Sequence, residues 1–175
     1  ESDEAMPDIS VIIPTFNRAA LLPRALNSVL AQTRTADEII VVDDGSVDDT
    51  PELVAGRYPG VRLIRQENRG VSAARNCGIE AAKGDWIALL DSDDEWYGDK
   101  LQLQAAALEA APQAALCHSD EKWVRNGVHL NQMKKHEKAG GWIYQRCLPL
   151  CAISPSAALI RREVFAIIGL FDESL

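Results

Sequence analysis

Short apolar runs and segments with helical periodicity alternate along the first 118 residues of the chain. The apolar runs are rich in β-branched side chains, which pack well on the pleated surface of a sheet. Because such runs alternate with helical segments, the sequence predicts an α/β domain with a mostly parallel, Rossmann-like sheet flanked by helices. Strands are predicted at residues 9–14, 38–42, 61–64, 86–90 and 115–118.

The segments between these strands carry apolar residues at the spacing of one helix face. Residues 70–82 have small side chains on one face, so this helix can pack closely on the sheet, and Gly84 is predicted to end it. Residues 49–52 are predicted to supply capping oxygens and an early proline for another helix. Helices are predicted at residues 21–30, 50–58, 70–82 and 100–111.

The regular alternation weakens after residue 118. Residues 123–130 are predicted to form a hairpin that turns on Asn126-Gly127, a dipeptide that favours tight hairpin turns. The basic stretch at residues 131–141 is predicted to be a loop that meets an acceptor or a phosphate, with a solvated charge run as the alternative. A further strand is predicted at residues 156–160, and a helix closed by Gly169 at residues 162–168.

The composition fits one domain over residues 6–175. The chain has 175 residues, of which 47% are hydrophobic, so it can bury roughly two thirds of its unfolded surface. The first five residues precede Met6-Pro7, which resembles a natural start, and they are predicted to be an addition to the natural chain. The net charge of -8 argues against binding to nucleic acid or to an anionic membrane.

The sequence predicts a cytoplasmic protein with reduced cysteines. No apolar stretch approaches the ~20 residues of a spanning helix, and the N-terminus lacks the pattern of a secretion signal. The alternative location for the protein is the inner face of the membrane. The thiols of Cys77, Cys117, Cys147 and Cys151 are predicted to be buried. The alternative is a zinc site formed by Cys147 and Cys151 with His118 and His136.

A cluster of carboxylates closes the predicted strand at residues 86–90. Asp91, Asp93 and Asp94 follow this apolar run within four residues, and in the turn after a strand such side chains can converge on one cation. Hard oxygen ligands suit Mg²⁺ or Mn²⁺, which keep waters and bridge to substrate phosphates. The cluster therefore predicts a metal-assisted site for a substrate that carries phosphate.

A second acidic strand end strengthens this prediction. Asp43 and Asp44 follow the apolar run at residues 38–42. Parallel α/β sheets bind ligands beyond the carboxyl ends of their strands, so the two acidic ends are predicted to line one pocket. The competing interpretation is that these aspartates only form turns and cap helices, as Asp94 could do.

Four segments of the chain then stand in a specific order. They are residues 11–18 (VIIPTFNR), 41–46 (VVDDGS), 67–76 (ENRGVSAARN) and 91–94 (DSDD). Together they closely resemble the family 2 inverting glycosyltransferases of the glycosyltransferase A fold. The resemblance covers the chain from about residue 8 to residue 175, and it implies a nucleoside diphosphate sugar donor, such as a UDP-sugar, and a glycan or lipid-linked acceptor in polysaccharide assembly.

The resemblance also implies roles for individual residues. Asp44 would bind the base, supported by Asp43. Asp91 would face the ribose or the sugar of the donor, and Asp93, together with Asp91 in an Asp-x-Asp motif, would coordinate Mn²⁺ or Mg²⁺ on the diphosphate. Ser92 lies between these two aspartates. The remaining donor-side residues would be Pro14, Thr15 and Asn17 near the nucleoside, with Arg69 or Arg75 assisting.

The general base is implied to lie beyond this chain. In family members an acidic base follows shortly after a Gly-x-Phe-Asp-Glu segment, and here residues 169–173 read GLFDE close to the last residue, Leu175. We therefore expect a C-terminally truncated fragment that binds donor better than it transfers sugar. Asp172 and Glu173 are weak candidates for the base, since the resemblance places them before the catalytic position.

The resemblance places residues 151–156 on the acceptor side of the cleft. Ser154 and Ser156 belong to this segment, and Trp142 is a candidate stacking platform for a sugar or, alternatively, a packing residue. A nucleotidyltransferase is one competing function, but the segment after the first strand, TFNR, lacks the expected glycine-rich loop. A non-catalytic module that binds nucleotide sugars is the other.

Overall fold

The computed structural model describes residues 8–125, 127–130, 137–149 and 152–174. A short 3₁₀ turn, Pro155–Ala157, precedes the last strand. The strands are β1 (Ile9–Thr15), β2 (Glu38–Asp43), β3 (Arg62–Arg65), β4 (Trp86–Leu89), β5 (Leu116–His118), β6 (Trp123–Arg125), β7 (Val128–Leu130) and β8 (Ala158–Arg161). The helices are α1 (Leu22–Leu30), α2 (Thr50–Arg57), α3 (Val71–Ala81), α4 (Lys100–Ala110), α5 (Tyr144–Cys147) and α6 (Arg162–Ile168).

Six strands form one mixed sheet in the order β3-β2-β1-β4-β8-β5. The strands β1 to β4 pair in parallel, whereas β8 pairs antiparallel with both β4 and β5. This confirms the mostly parallel sheet and the predicted return of the chain near residue 158. The order places β1 between β2 and β4, so the two acidic strand ends lie on either side of Thr15 at one sheet edge.

Helices cover both faces of the sheet. Alternate residues of β1 point to opposite faces, as the strand period requires. Ile9, Val11 and Ile13 pack in one core cluster with residues of α1 and α4. Ile12 packs in the other cluster with α3. Every residue of β1 is buried, and the carboxyl end of this strand is held rigidly between two core layers.

The small face of α3 lets this helix lie against the sheet, as predicted. A Cβ atom added to Gly78 would lie 2.4 Å from Cγ2 of Ile12. Gly84, in contrast, does not end the helix, because α3 ends at Ala81 and Ala82 is already extended. A Cβ at Gly84 would lie 2.7 Å from the backbone nitrogen of Ser10, so this glycine is required by close packing on β1.

Three further sequence predictions need correction. The capping oxygen of α2 comes from Asp48, whose Oδ1 accepts the Thr50 N–H at 3.1 Å, and not from the side chain of Asp49. The thiols of Cys77 and Cys117 are only half-buried, and that of Cys147 is exposed.

Lys138 is not a solvated charge, because its Nζ lies 2.6 Å from Oε1 of Glu121.

Some predictions fall on residues that the structure does not describe. The strands β6 and β7 pair with Arg125 opposite Val128, which confirms the hairpin, but its turn residue Asn126 lies outside the described residues. Residues 131–136 of the predicted basic loop and Cys151 also lie outside them. No helix in the described part of the chain is long and apolar enough to cross a bilayer.

Candidate functional site

An open cleft of about 440 Å³ lies at the carboxyl ends of β1, β2 and β4. Its position follows from the sheet order, because both acidic strand ends reach this edge next to Thr15. The structure therefore brings together most of the predicted donor-side residues. Those lining the cleft are Pro14, Thr15, Asp44, Arg75, Asp91, Ser92 and Asp93.

Asp44 organises one wall of the cleft. Its side chain is 3% exposed. Its Oδ1 accepts the Arg69 N–H at 2.9 Å and the Gln66 Nε2–H at 2.7 Å, while its Oδ2 accepts the Gly70 N–H at 2.8 Å. The carboxylate thus shapes the loop that leads into α3. A carboxylate offers about four acceptor positions, and these donors fill three of them in a residue that also lines the cleft.

Asp43 stabilises the same wall from behind. It is fully buried, and its oxygens accept the Ser46 N–H at 3.2 Å and the Arg65 Nε–H at 3.1 Å. This geometry agrees with the predicted supporting position behind Asp44.

Asp91 forms an ion pair with Arg75. The Arg75 Nη2 lies 2.6 Å from Oδ1 of Asp91, and the guanidinium stacks 5.6 Å from the ring centre of Phe171. Arg75 is held between the acidic strand end and the C-terminal segment. Its buried Nε has no hydrogen-bond partner among the described residues.

Asp93 has a more exposed carboxylate than Asp91. Its side chain is 55% exposed, and its Oδ2 lies 4.0 Å from the Arg18 Nη2. Arg24 fixes the backbone at this point by donating to the Asp93 carbonyl at 2.5 Å. Asp93 is therefore held in place by its backbone while its carboxylate faces solvent.

The carboxylate oxygens at the carboxyl ends of these strands fit a divalent cation that would also bind to the substrate. The described residues contain no group of three acidic, histidine or cysteine side chains arranged to hold a metal by themselves. Mg²⁺ and similar ions are commonly held by one or two carboxylates together with substrate phosphates. Asp91 and Asp93 provide such a pair at the cleft, and Asp93 has the exposure needed to bind.

A buried hydroxyl in the cleft has no partner. Thr15 is 3% exposed, lines the cleft, and its Oγ1 makes no hydrogen bond within the described part of the chain. Buried polar groups normally have a partner. The unpaired hydroxyl is therefore available to a polar group of a ligand.

Two predicted donor residues build the cleft walls instead of lining the cavity. Asn17 adopts a left-handed conformation with φ of 52°. Its N–H donates to Ser46 Oγ at 2.8 Å, and its Oδ1 accepts the Val47 N–H at 2.9 Å, so it joins the loops after β1 and β2. The Arg69 side chain points to Glu173, with 2.6 Å between Nη2 and Oε2.

The two weak candidates for a general base are poorly suited to that role. Both carboxylate oxygens of Glu173 are engaged, one by Arg69 and the other by the Asn76 Nδ2 at 2.9 Å. Hydrogen bonds from Ser174 lower the pKa of Asp172, which makes this carboxylate a weaker base. The structure thus assigns both residues to fixing the C-terminal segment.

The predicted acceptor-side residues do not gather in the cleft. Trp142 is 95% exposed and packs on no core cluster. Ser154 hydrogen-bonds to Glu121, whose pKa is raised by burial but lowered overall by hydrogen bonds from Lys138, Trp123 and Ser154. Ser156 is buried beneath residues 91–96 and faces the protein interior.

A buried lysine lies under the same acidic loop. Lys100 is 7% exposed, and its Nζ lies 4.1 Å from the Trp96 ring centre and donates to Gln104 Oε1 at 2.7 Å. Burial lowers the pKa of Lys100 to about 7, and the coulombic interaction with Cys117 opposes this shift. The unfolded chain therefore binds this proton more strongly than the folded chain does between about pH 7 and pH 10.

Stability is consequently expected to rise with pH over this window. We predict that the wild-type chain gains roughly 2 kcal/mol from pH 7 to pH 9 relative to a Lys100→Met variant. Urea unfolding of both chains at each pH measures the difference. Parallel pH profiles for the two chains would contradict the assignment of the proton to Lys100.

Comparison with known proteins identifies the family. The family model described as "Glycosyl transferase family 2" matches residues 10–168, which is most of the chain. The chain belongs to glycosyl transferase family 2. This confirms the resemblance that the four motifs indicated.

Curated proteins from several bacteria are similar to this chain. An uncharacterized glycosyltransferase of Rickettsia felis is 45% identical over 95% of this chain and 27% of its own length. The succinoglycan biosynthesis protein ExoO of Rhizobium meliloti is 46% identical over 62% of this chain and 32% of its own length. The chain therefore spans about a third or less of these two relatives.

The fold of this family 2 chain is also that of a solved protein structure. The crystal structure of residues 1–349 of S. aureus TarS in complex with UDP superposes with a TM-score of 0.80 at 26% identity, covering 96% of this chain and 51% of that one. The same TarS fragment has been solved with UDP-GlcNAc. The likeness confirms the glycosyltransferase A fold predicted from the motifs.

Sequence reasoning missed several cleft residues of this family 2 chain. All six lie within the motifs at residues 11–18 and 67–76, and all except Val71 stand next to a predicted residue; Phe16 and Arg18, for example, belong to the same motif as Thr15. Their positions in the motif were a usable signal, but the pairing of Arg18 with Asp93 depends on the packed loops. The missed lining residues are Phe16, Arg18, Asn68, Gly70, Val71 and Ala74.

Proposed function

We propose that this chain forms the donor-binding part of an inverting glycosyltransferase that uses a nucleoside diphosphate sugar and a divalent cation. The observation that carries the proposal is the single cleft into which the sheet brings Asp44, Asp91 and Asp93. UDP is the preferred donor nucleotide, since TarS, with 26% identity and the same fold, was solved with UDP and with UDP-GlcNAc.

The cleft residues have chemistry that suits such a donor. The remaining acceptor position of Asp44 can accept the imide N–H of a uracil base. The Thr15 hydroxyl and the Arg75 Nε are buried and unpaired among the described residues, so each can donate a hydrogen bond to an oxygen of the nucleotide sugar. Arg18 adds an exposed positive charge at the same edge, next to Asp93.

A bound cation would be held by Asp93, with Asp91 as a second carboxylate. The oxygen ligands match Mn²⁺ or Mg²⁺. When bound, such an ion stabilises the negative charge that develops on the leaving diphosphate. The net charge of -8 makes this compensation useful, because an acidic protein repels a diphosphate.

The proposed reaction is a direct displacement at the anomeric carbon. An acceptor hydroxyl oxygen forms the new bond to that carbon while the bond to the diphosphate oxygen breaks, and the nucleoside diphosphate leaves with the electron pair. The hydroxyl proton passes to a general base. Since Glu173 and Asp172 are engaged elsewhere, we assign the base to neither.

The acceptor is proposed to be a glycan or a lipid-linked glycan. This follows from the name of one relative, a succinoglycan biosynthesis protein. A cytoplasmic location, including the inner face of a membrane, agrees with an activated nucleotide donor and is part of the same proposal.

Calorimetric titration of the chain with UDP, GDP and UTP, each with and without Mn²⁺, tests this function. We expect UDP to bind in the presence of Mn²⁺ and to bind more weakly without it. Preference for UTP over UDP would favour a nucleotidyltransferase. A longer protein that binds UDP but transfers no sugar would favour a non-catalytic binding module, and the absence of any nucleotide binding would contradict the proposed donor site.

A further inference from the structure

Ser156 lies beneath the acidic loop at residues 91–96 and contacts it at three points. Its hydroxyl oxygen accepts the Asp91 N–H at 3.0 Å. The same hydroxyl donates to Oδ2 of Asp94 at 2.5 Å. Its backbone carbonyl accepts the Trp96 Nε1–H at 2.7 Å. These contacts come from the turn that precedes β8, 60 to 65 residues further along the chain.

The two hydroxyl contacts depend on each other. A serine hydroxyl has one proton and two lone pairs, so donation to Asp94 leaves the lone pairs for the Asp91 N–H. Asp94 therefore accepts the hydrogen bond that the Ser156 hydroxyl donates. Asp91, Ser92 and Asp93 line the cleft. The acidic loop thus has one carboxylate used for anchoring and two that face the cleft.

A small number of hydrogen bonds hold the backbone of the rest of the loop. The Leu90 N–H still belongs to the sheet, where it donates to the Ile12 carbonyl at 3.0 Å. At the far end, Ser28 Oγ accepts the Trp96 N–H at 3.1 Å. Between these two points, the Ser156 hydroxyl accepts the Asp91 N–H, Arg24 donates to the Asp93 carbonyl, and the Asp94 N–H donates to the Asp91 carbonyl at 3.0 Å.

We propose that Ser156 is a positioning residue for the donor site. By holding the Asp91 backbone and the Asp94 side chain, it fixes the start of the acidic loop and so, together with Arg24 and Arg75, the positions of the Asp91 and Asp93 carboxylates at the cleft. This inference rests on the proposed function and extends it to a buried serine, for which the sequence had predicted a place on the acceptor side. Ser156 acts through the acidic loop and lies on the protein side of it.

The test compares three variants by UDP titration at several Mn²⁺ concentrations. Ser156→Ala removes both hydroxyl contacts and is expected to raise the Mn²⁺ concentration needed for half-maximal UDP binding by about tenfold. Ser156→Thr keeps a hydroxyl and is expected to restore binding. Ser28→Ala is the matched control, because Ser28 is equally buried and accepts an N–H at the other end of the loop.

Ser28→Ala is expected to lower the melting temperature about as much as Ser156→Ala while leaving the Mn²⁺ requirement unchanged. Equal losses of binding in both alanine variants would show a general stability effect and overturn the proposal. Wild-type binding by Ser156→Ala would also overturn it. If the wild-type chain binds no UDP, the proposed function fails, and the positioning role in donor binding fails with it.

Hydrogen exchange distinguishes those two failures, because it needs no donor. The Asp91 amide is expected to exchange slowly in the wild type and in Ser156→Thr, and about tenfold faster in Ser156→Ala. The Trp96 amide should accelerate only in Ser28→Ala. An Asp91 amide that exchanges at the same rate in all chains would overturn the anchoring itself, whatever the result with UDP.

Discussion

Replacement of Asp93 with alanine is expected to weaken Mn²⁺-dependent UDP binding by about a hundredfold, since loss even of a residue that only supports a metal ligand costs about 10- to 100-fold. The reason is the position of its carboxylate, which is 55% exposed at the cleft and has one partner, Arg18, at 4.0 Å. An exposed ion pair of this kind contributes little to folding. The loss should therefore appear in calorimetric binding and not in the melting temperature.

The control for this variant is Asp99→Ala. Asp99 is exposed and makes no capping hydrogen bond with its side chain. Its replacement by alanine changes the net charge by the same amount as the Asp93→Ala substitution. Asp93→Asn keeps the shape and removes the charge, and it should behave like the alanine variant if a cation is bound. An Asp93→Ala chain that binds UDP and Mn²⁺ as the wild type does would show that the cation site lies elsewhere.

Asp44→Ala is expected to reduce both stability and donor binding. The substitution leaves two backbone N–H groups, those of Arg69 and Gly70, and the Gln66 amide without their acceptor. A fully buried donor left unpaired costs about 1–3 kcal/mol; because these three donors are only partly buried, we expect the lower part of that range for each, or roughly 3–5 kcal/mol in total in the free energy of unfolding. Since the loop at residues 66–70 forms one wall of the cleft, UDP binding should fall with it.

Urea unfolding measures the loss, with Asp49→Ala as the control. Asp49 lies in the loop after β2 but is exposed and makes no capping hydrogen bond with its side chain. Hydrogen exchange at the Gly70 amide should accelerate in Asp44→Ala and stay unchanged in Asp49→Ala. Equal stability of the two variants would mean that water or other groups replace the Asp44 carboxylate at no cost.

Local patterns predicted the elements that this site rests on. The apolar runs that became β1, β2 and β4 are buried on both faces, so their sequences carry an unmistakable strand signal. Sheet physics then places their carboxyl ends together. That is why Asp44, Asp91 and Asp93 were predicted to share one pocket before any distance was known.

Long-range packing decided what the sequence patterns could not. Gly84 was predicted to end α3, but the approach of Ser10 from a distant strand requires the glycine. Ser156 was expected on the acceptor side, whereas the antiparallel return of β8 places it under the acidic loop. Both errors arise because a side chain's neighbours across the sheet are absent from its local sequence.

The sequence by itself determined the α/β fold class, the two acidic strand ends and the family, because periodicity, turn chemistry and short motifs are properties of neighbouring residues. Only the tertiary structure decided which carboxylates are free to bind and which hold the protein together. Asp44 and Glu173 are engaged by backbone and side-chain donors, whereas Asp93 is open. These partners come from segments that are far apart in the sequence, and the packing of α3 and the C-terminal segment against the sheet brings them together.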